Sequence, residues 1–161
     1  MQTDPAISRR AILAGLITLP LLEPMAAYAQ AGSLPLVTVT KDPSCGCCGG
    51  WVEHIEAAGF PVRVVDSAGL DSLKQRLGVP ADLASCHTAE VKGYVVEGHV
   101  PAAAIRRLLA ERPPATGLAV PGMPVGSPGM EVPGVAPEPY EVLLFGATVE
   151  TFGRFLGSQE L

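Results

Sequence analysis

The chain has 161 residues, enough for one modest core, of which 48% are apolar and only 17% charged. Its net charge of −5 provides no basic stripe to displace counterions, and an aromatic content of 5% provides no platform for stacking bases. Both features argue against a nucleic-acid partner.

Ser8-Arg9-Arg10 opens an apolar run from Ala11 to Leu22, and "AYA" at 27–29 puts small residues ahead of Gln30. A positive start, an apolar centre and an A-x-A site form the pattern of an export signal, with cleavage expected near Ala29/Gln30. A retained anchor is the alternative, but a spanning helix needs about 20 apolar residues. This run contains Gly15 and Pro20 and soon meets Glu23. The paired arginines resemble a twin-arginine signal. Residues 1–29 are therefore read as a leader, and residues 30–161 as a single domain with no membrane span. Removing the leader takes away Asp4, Arg9, Arg10 and Glu23, so the charge stays at −5, and all four cysteines and three histidines remain. The expected compartment is a bacterial-type periplasm, where thiols oxidise unless a metal or a reductant holds them.

"PLVTVTK" (35–41) alternates apolar and hydroxyl residues around β-branched positions and predicts a strand. "DPSCGCCGGW" follows, and then a helix whose Trp51, Val52 and Ile55 share one face, with Gly59 as its stop. "VRVVD" (62–66) predicts a second strand. Leu70, Leu73 and Leu77 predict a second helix, closed by Gly78 and Pro80. "HTAEVKGYVVEGHV" reads as two strands turning at Lys92-Gly93, and Pro101 opens a third helix. The order β-α-β-α-β-β-α makes the first two strands parallel and the next two a hairpin. That is a thioredoxin-like α/β arrangement, a small mixed sheet flanked by helices. Residues 112–139 hold eight prolines and five glycines, a composition expected to exclude a helix or a central strand. "YEVLLF" (140–145) reads as a late edge strand, and "TVETFGRF" as a tail that extends or frays.

Cys45 and Cys48 form a C-x-x-C pair at a helix start, the placement used by thiol-disulfide oxidoreductases. The N-terminal N–H groups there stabilise a thiolate. Cys47 complicates that reading, since an extra thiolate beside the pair invites scrambling. A metal site has the opposite need, several soft donors in a small volume, and thiolates favour Cu(I) and Zn(II). Gly46, Gly49 and Gly50 allow the tight backbone such convergence requires. In this arrangement the loop carrying Cys86 and His87 runs beside the first helix, and His99 can reach the same rim. Cys86 serves equally in a soft-metal site or a structural disulfide, and donor number favours the metal.

Three blocks, "KDPSCGCCGGWVEHIEAAGF", "SCHTAEVKGYVVEGHVP" and "GLAVPGMPVGSPGME", together resemble the CopG-type periplasmic proteins linked to copper resistance. The resemblance spans roughly residues 36–146. It implies a thioredoxin-like fold whose clustered cysteines, helped by histidine, bind copper in a multinuclear thiolate-bridged cluster. It also implies a role in periplasmic copper handling, with redox change between Cu(I) and Cu(II) and other copper-handling proteins as partners. Carried onto this chain, the metal ligands are Cys45, Cys47, Cys48 and Cys86, with His99 and His87. If the protein is instead an oxidoreductase, Cys45 and Cys48 are the catalytic pair. Zinc in a structural site is a further alternative.

His54 lies well past the helix N-terminus and reads as a helix residue rather than a ligand. Met123 and Met130 offer thioethers to Cu(I) as part of a lid, or simply anchor an irregular loop. Trp51 shields the site or packs beneath the helix. Glu97 is a strand-edge charge or a partner that orients a ligand.

Overall fold

In a computed structural model that describes residues 33–161, together with Gln2, the expected element order runs unbroken as far as the third helix. The leader assigned to residues 1–29 otherwise lies outside the described residues. Strand β1 (Val37–Lys41) leads into α1 (Gly46–Ala57), then β2 (Val62–Asp66), α2 (Leu70–Arg76) and the hairpin β3 (His87–Val91) and β4 (Tyr94–Gly98). Pro101 caps α3 (Ala102–Glu111), its fixed φ matching the entry to a helix. β1 and β2 are parallel, and β3 is antiparallel to both β1 and β4. Lys92 and Gly93 take φ of 51° and 87°, which suits the tight turn read from their sequence.

The remainder corrects the sequence reading. The Pro/Gly-rich segment does contain a central strand, β5 (Gly117–Val120), parallel to β4 and antiparallel to β6 (Pro139–Phe145). Its four residues lie between Pro114 and Pro121 and keep all their N–H donors, so the surrounding prolines do not prevent pairing. Gly117 is needed there, because a Cβ would lie 1.8 Å from the Val95 carbonyl oxygen. Nor is β6 an edge strand. The expected tail forms β7 (Val149–Leu156) and β8 (Gln159–Glu160), giving one mixed sheet of eight strands in the order β2-β1-β3-β4-β5-β6-β7-β8.

One face of this sheet carries the main core. Trp51 and Ile55 of α1 and Ile105 and Leu108 of α3 pack against Val37, Val39, Leu118 and Val142, all fully buried. On the other face α2 and the turn after it cover Val95, Ala119 and Phe145 through Val79 and Leu83. The leucines expected to seat α2 are only half-buried, and its most buried residue is Lys74. No helix among the described residues is long and apolar enough to cross a membrane.

Candidate metal centre

The turn before α1 organises the cysteines. Asp42 Oδ1 accepts the Ser44 N–H at 2.8 Å and its hydroxyl, and the Asp42 carbonyl accepts the Cys45 N–H at 3.1 Å. This fold-back makes Cys45 the N-cap of α1, with Cys47 and Cys48 inside the first turn and no acidic side chain beside them. The aligned N–H groups at that end favour negative charge on sulfur. Cys45 and Cys48 are joined as a disulfide, their Cα atoms 5.5 Å apart, while Cys47 and Cys86 are free thiols.

Cys45, Cys47, Cys48 and Cys86 lie together, their sulfurs all within 4.8 Å of one another, and a second group joins Cys86 to His87 and His99. Cys47 Sγ is 3.4 Å from Cys45 Sγ, and the Cys86 carbonyl is 3.7 Å from Cys48 Sγ. Cys86 is the hinge of the arrangement, with His99 Nε2 at 3.1 Å and His87 Nδ1 at 3.2 Å from its sulfur. The structure thus places all six residues named from the sequence in two groups that share Cys86. Burial, with the neighbouring Cys47 second, pushes the Cys86 thiol up to about 11.

The two histidines are held differently. His99 Nδ1–H donates to the Pro128 carbonyl at 2.8 Å, which leaves the lone pair on Nε2, the nitrogen facing Cys86. Burial also lowers its affinity for a proton. His87 is fully buried, with its ring centroid 4.5 Å from that of Trp51 and 5.1 Å from that of His99. Desolvation, followed by the proximity of His99 and Lys74, drives it down to about 3, so it is neutral. Its Nε2 has no hydrogen-bond partner. His54 stands outside the cluster, as read: its Nε2 accepts the Ala102 N–H at 3.0 Å and so caps α3. Trp51 packs beneath the helix in the main core, as one of its two readings had it, and its Nε1–H donates to the Val100 carbonyl at 2.9 Å.

The proline-rich segment closes over this end of α1. Gly129 sits against α1 so tightly that a Cβ would lie 2.5 Å from the Trp51 nitrogen and 2.6 Å from the Cys47 carbonyl oxygen. Contact comes through the backbone of Pro128 and Gly129, whereas Met123 is exposed and Met130 half-buried. Glu97 is no strand-edge charge: it is fully buried and paired with Lys74 at 2.5 Å. Sequence reading missed Lys74, although a signal existed. At position 74 a lysine completes the i, i+3, i+4, i+7 stripe of Leu70, Leu73 and Leu77, where an apolar residue is expected.

Four sulfurs and two imidazole nitrogens in this space suit a soft ion, once the disulfide is reduced. Among known proteins, a family model described as "Protein of unknown function, DUF411" matches residues 83–130, which include Cys86, His87 and His99. No curated protein matches the chain. Two solved structures, "Copper resistance protein copG" in Form 1 and Form 2, each share 43% identity with it. Each alignment covers 76% of this chain and 98% of the other, with a TM-score of 0.71. At that identity and coverage, the chain belongs to the CopG copper resistance protein family.

Proposed function

We propose that this protein is a periplasmic copper-binding protein that takes Cu(I) as cargo on a thioredoxin-like frame, handling the ion for copper resistance. The observation that carries this reading is the convergence of four cysteine sulfurs within 4.8 Å, with His99 turning its unprotonated Nε2 to the Cys86 sulfur at 3.1 Å. Thiolates supply soft coordination, and their number allows sulfurs to bridge several ions, as in the multinuclear cluster the resemblance implies. The ligands would be Cys45, Cys47, Cys48 and Cys86, with His99 and His87 completing the shell. A change between Cu(I) and Cu(II) at this site, and exchange of copper with other periplasmic copper-handling proteins, belong to the same proposal. So does the export leader at residues 1–29, which would deliver the chain to that compartment.

Protein purified anaerobically from cells grown with added copper should hold at least one copper per chain, and Cys47→Ser should lower that content. Less than one copper, unaffected by the substitution, would sink the proposal. Zinc as the co-purifying metal would point to a structural site instead.

The Cys45–Cys48 disulfide at the start of α1 favours a second reading, thiol-disulfide oxidoreductase. Reducing it consumes two electrons and two protons from a dithiol donor and yields two thiols. This reading predicts catalysed insulin or glutathione-disulfide exchange that persists in Cys47→Ser, whereas the copper reading makes Cys47 indispensable.

A further inference from the structure

Beneath the cysteine cluster, on the sheet face covered by α2, lies a polar network that coordination of copper does not use. Thr88 pairs with Glu97 in the β3–β4 ladder, and Glu97 in turn pairs with Ala119 of β5. Glu97 Oε1 accepts the Lys74 ammonium at 2.5 Å and the Ser85 backbone N–H at 2.6 Å. Its Oε2 accepts the Thr88 hydroxyl at 2.7 Å, and Lys74 also donates to Thr88 Oγ1 at 2.8 Å. Lys74, Thr88 and Glu97 are all buried.

The arrangement grips the chain on either side of one short corner. Ser85 and Thr88 flank Cys86 and His87, so the carboxylate fixes the backbone before the pair and the side chain after it. The next residues of β4 continue the device. Gly98, with φ of +71°, leaves room for Ser85, whose side chain a Cβ would meet at 2.6 Å, and His99 then reaches Cys86. Ser85 Oγ–H donates to the Gly122 carbonyl at 2.9 Å, tying the corner to the segment that supports His99.

A buried ion pair is a poor way to gain stability, because desolvation offsets most of the attraction and a well-packed apolar pair does as well. An apolar pair, however, cannot receive an N–H and a hydroxyl at two fixed points. We propose that Glu97, held in place by Lys74, is a positioning residue that clamps the Cys86–His87 corner and sets where the Cys86 sulfur meets the α1 cysteines. Its purpose rests on the metal-binding reading, but the clamp itself is testable without metal.

The full chain, reduced and metal-free, is alkylated with iodoacetamide, and the rates at Cys86 and Cys47 are compared by peptide mapping. Glu97→Ala should raise the Cys86/Cys47 rate ratio about tenfold, the scale set by one lost charge-assisted hydrogen bond. The double variant Lys74→Met/Glu97→Gln should keep the ratio near that of the unaltered protein, since the amide oxygen still accepts the Ser85 N–H. Should Glu97→Ala fail to fold, Thr88→Val removes one arm at nearly constant volume and should raise the ratio about threefold. A ratio unchanged in whichever of these single variants folds, even with a lowered melting temperature, would make the network merely structural and overturn the proposal. Copper binding plays no part in the readout, so a failure of the copper reading leaves this result intact.

Discussion

Cys86 decides how the cluster responds to pH. Its thiol is pushed up to about 11, chiefly by burial, so it carries a proton at neutral pH that a soft ion must displace. Below that value each displaced proton makes apparent affinity rise about tenfold per pH unit. We expect Cu(I) affinity, followed anaerobically against a competing chelator between pH 6 and 8 (about two units, within the range set by this shift), to rise steeply. Cys86→Ser should flatten the slope by about one proton; an identical slope would mean that Cys86 is not displaced. The candidate ligands were legible as residues because cysteines crowded onto a glycine-rich helix start have few other uses. Lys74 and Glu97 were harder to read. Charge in a sequence implies exposure by default, and only the contact between α2 and β4 shows why these two are buried.

At the scale of elements, the site depends on how α1 meets its neighbours. Gly129 docks the proline-rich segment on the first turns of α1 at φ +83°, with no room for a Cβ. Gly129→Ala should therefore move the segment, cost about 1–3 kcal/mol and weaken the Pro128 support of His99. Denaturant titration reads the stability. Cu(I) affinity reads the support, and a variant matching the original in both would show that the segment adapts freely. The other end of α1 meets α3 through His54, which must be neutral to accept the Ala102 N–H. Its pKa is lowered from 6.5, mainly by burial, with nearby Glu131 opposing. The unfolded chain thus binds this proton more readily. The His54 contribution to stability is present above about pH 6.5 and is lost as pH falls below it. His54→Gln keeps the acceptor without the titration. Its melting temperature should fall less steeply between pH 7 and 5 (about the window below the ordinary histidine value), and a parallel fall would assign the slope to other groups.

Across the whole molecule, the elements from β1 to α3 could be read because each announces itself locally, by period, stop glycine or turn pair. β5 could not, since its four residues become a strand only by pairing between β4 and β6, a nonlocal fact that composition conceals. For β7 and β8 the sequence left extension and fraying both open, and pairing onto β6 decides for extension. The C-terminal third is consequently part of the core and not an appendage to a finished domain. Leu118, Val120, Val142 and Phe155 fill the face that α3 covers, and Ala119 and Phe145 fill the opposite one. A chain ending at Glu111 would leave β4 as an open edge with Val95 and Val96 stripped of neighbours, and His99 without Pro128. We expect that chain to lose the cooperative thermal transition of the full protein, seen by circular dichroism, and to expose apolar surface to a hydrophobic dye. A cooperative melt within about 5 °C of the full chain, a shift worth only about 1 kcal/mol, would instead mean that β1 to α3 fold alone and that the later strands serve only to brace His99.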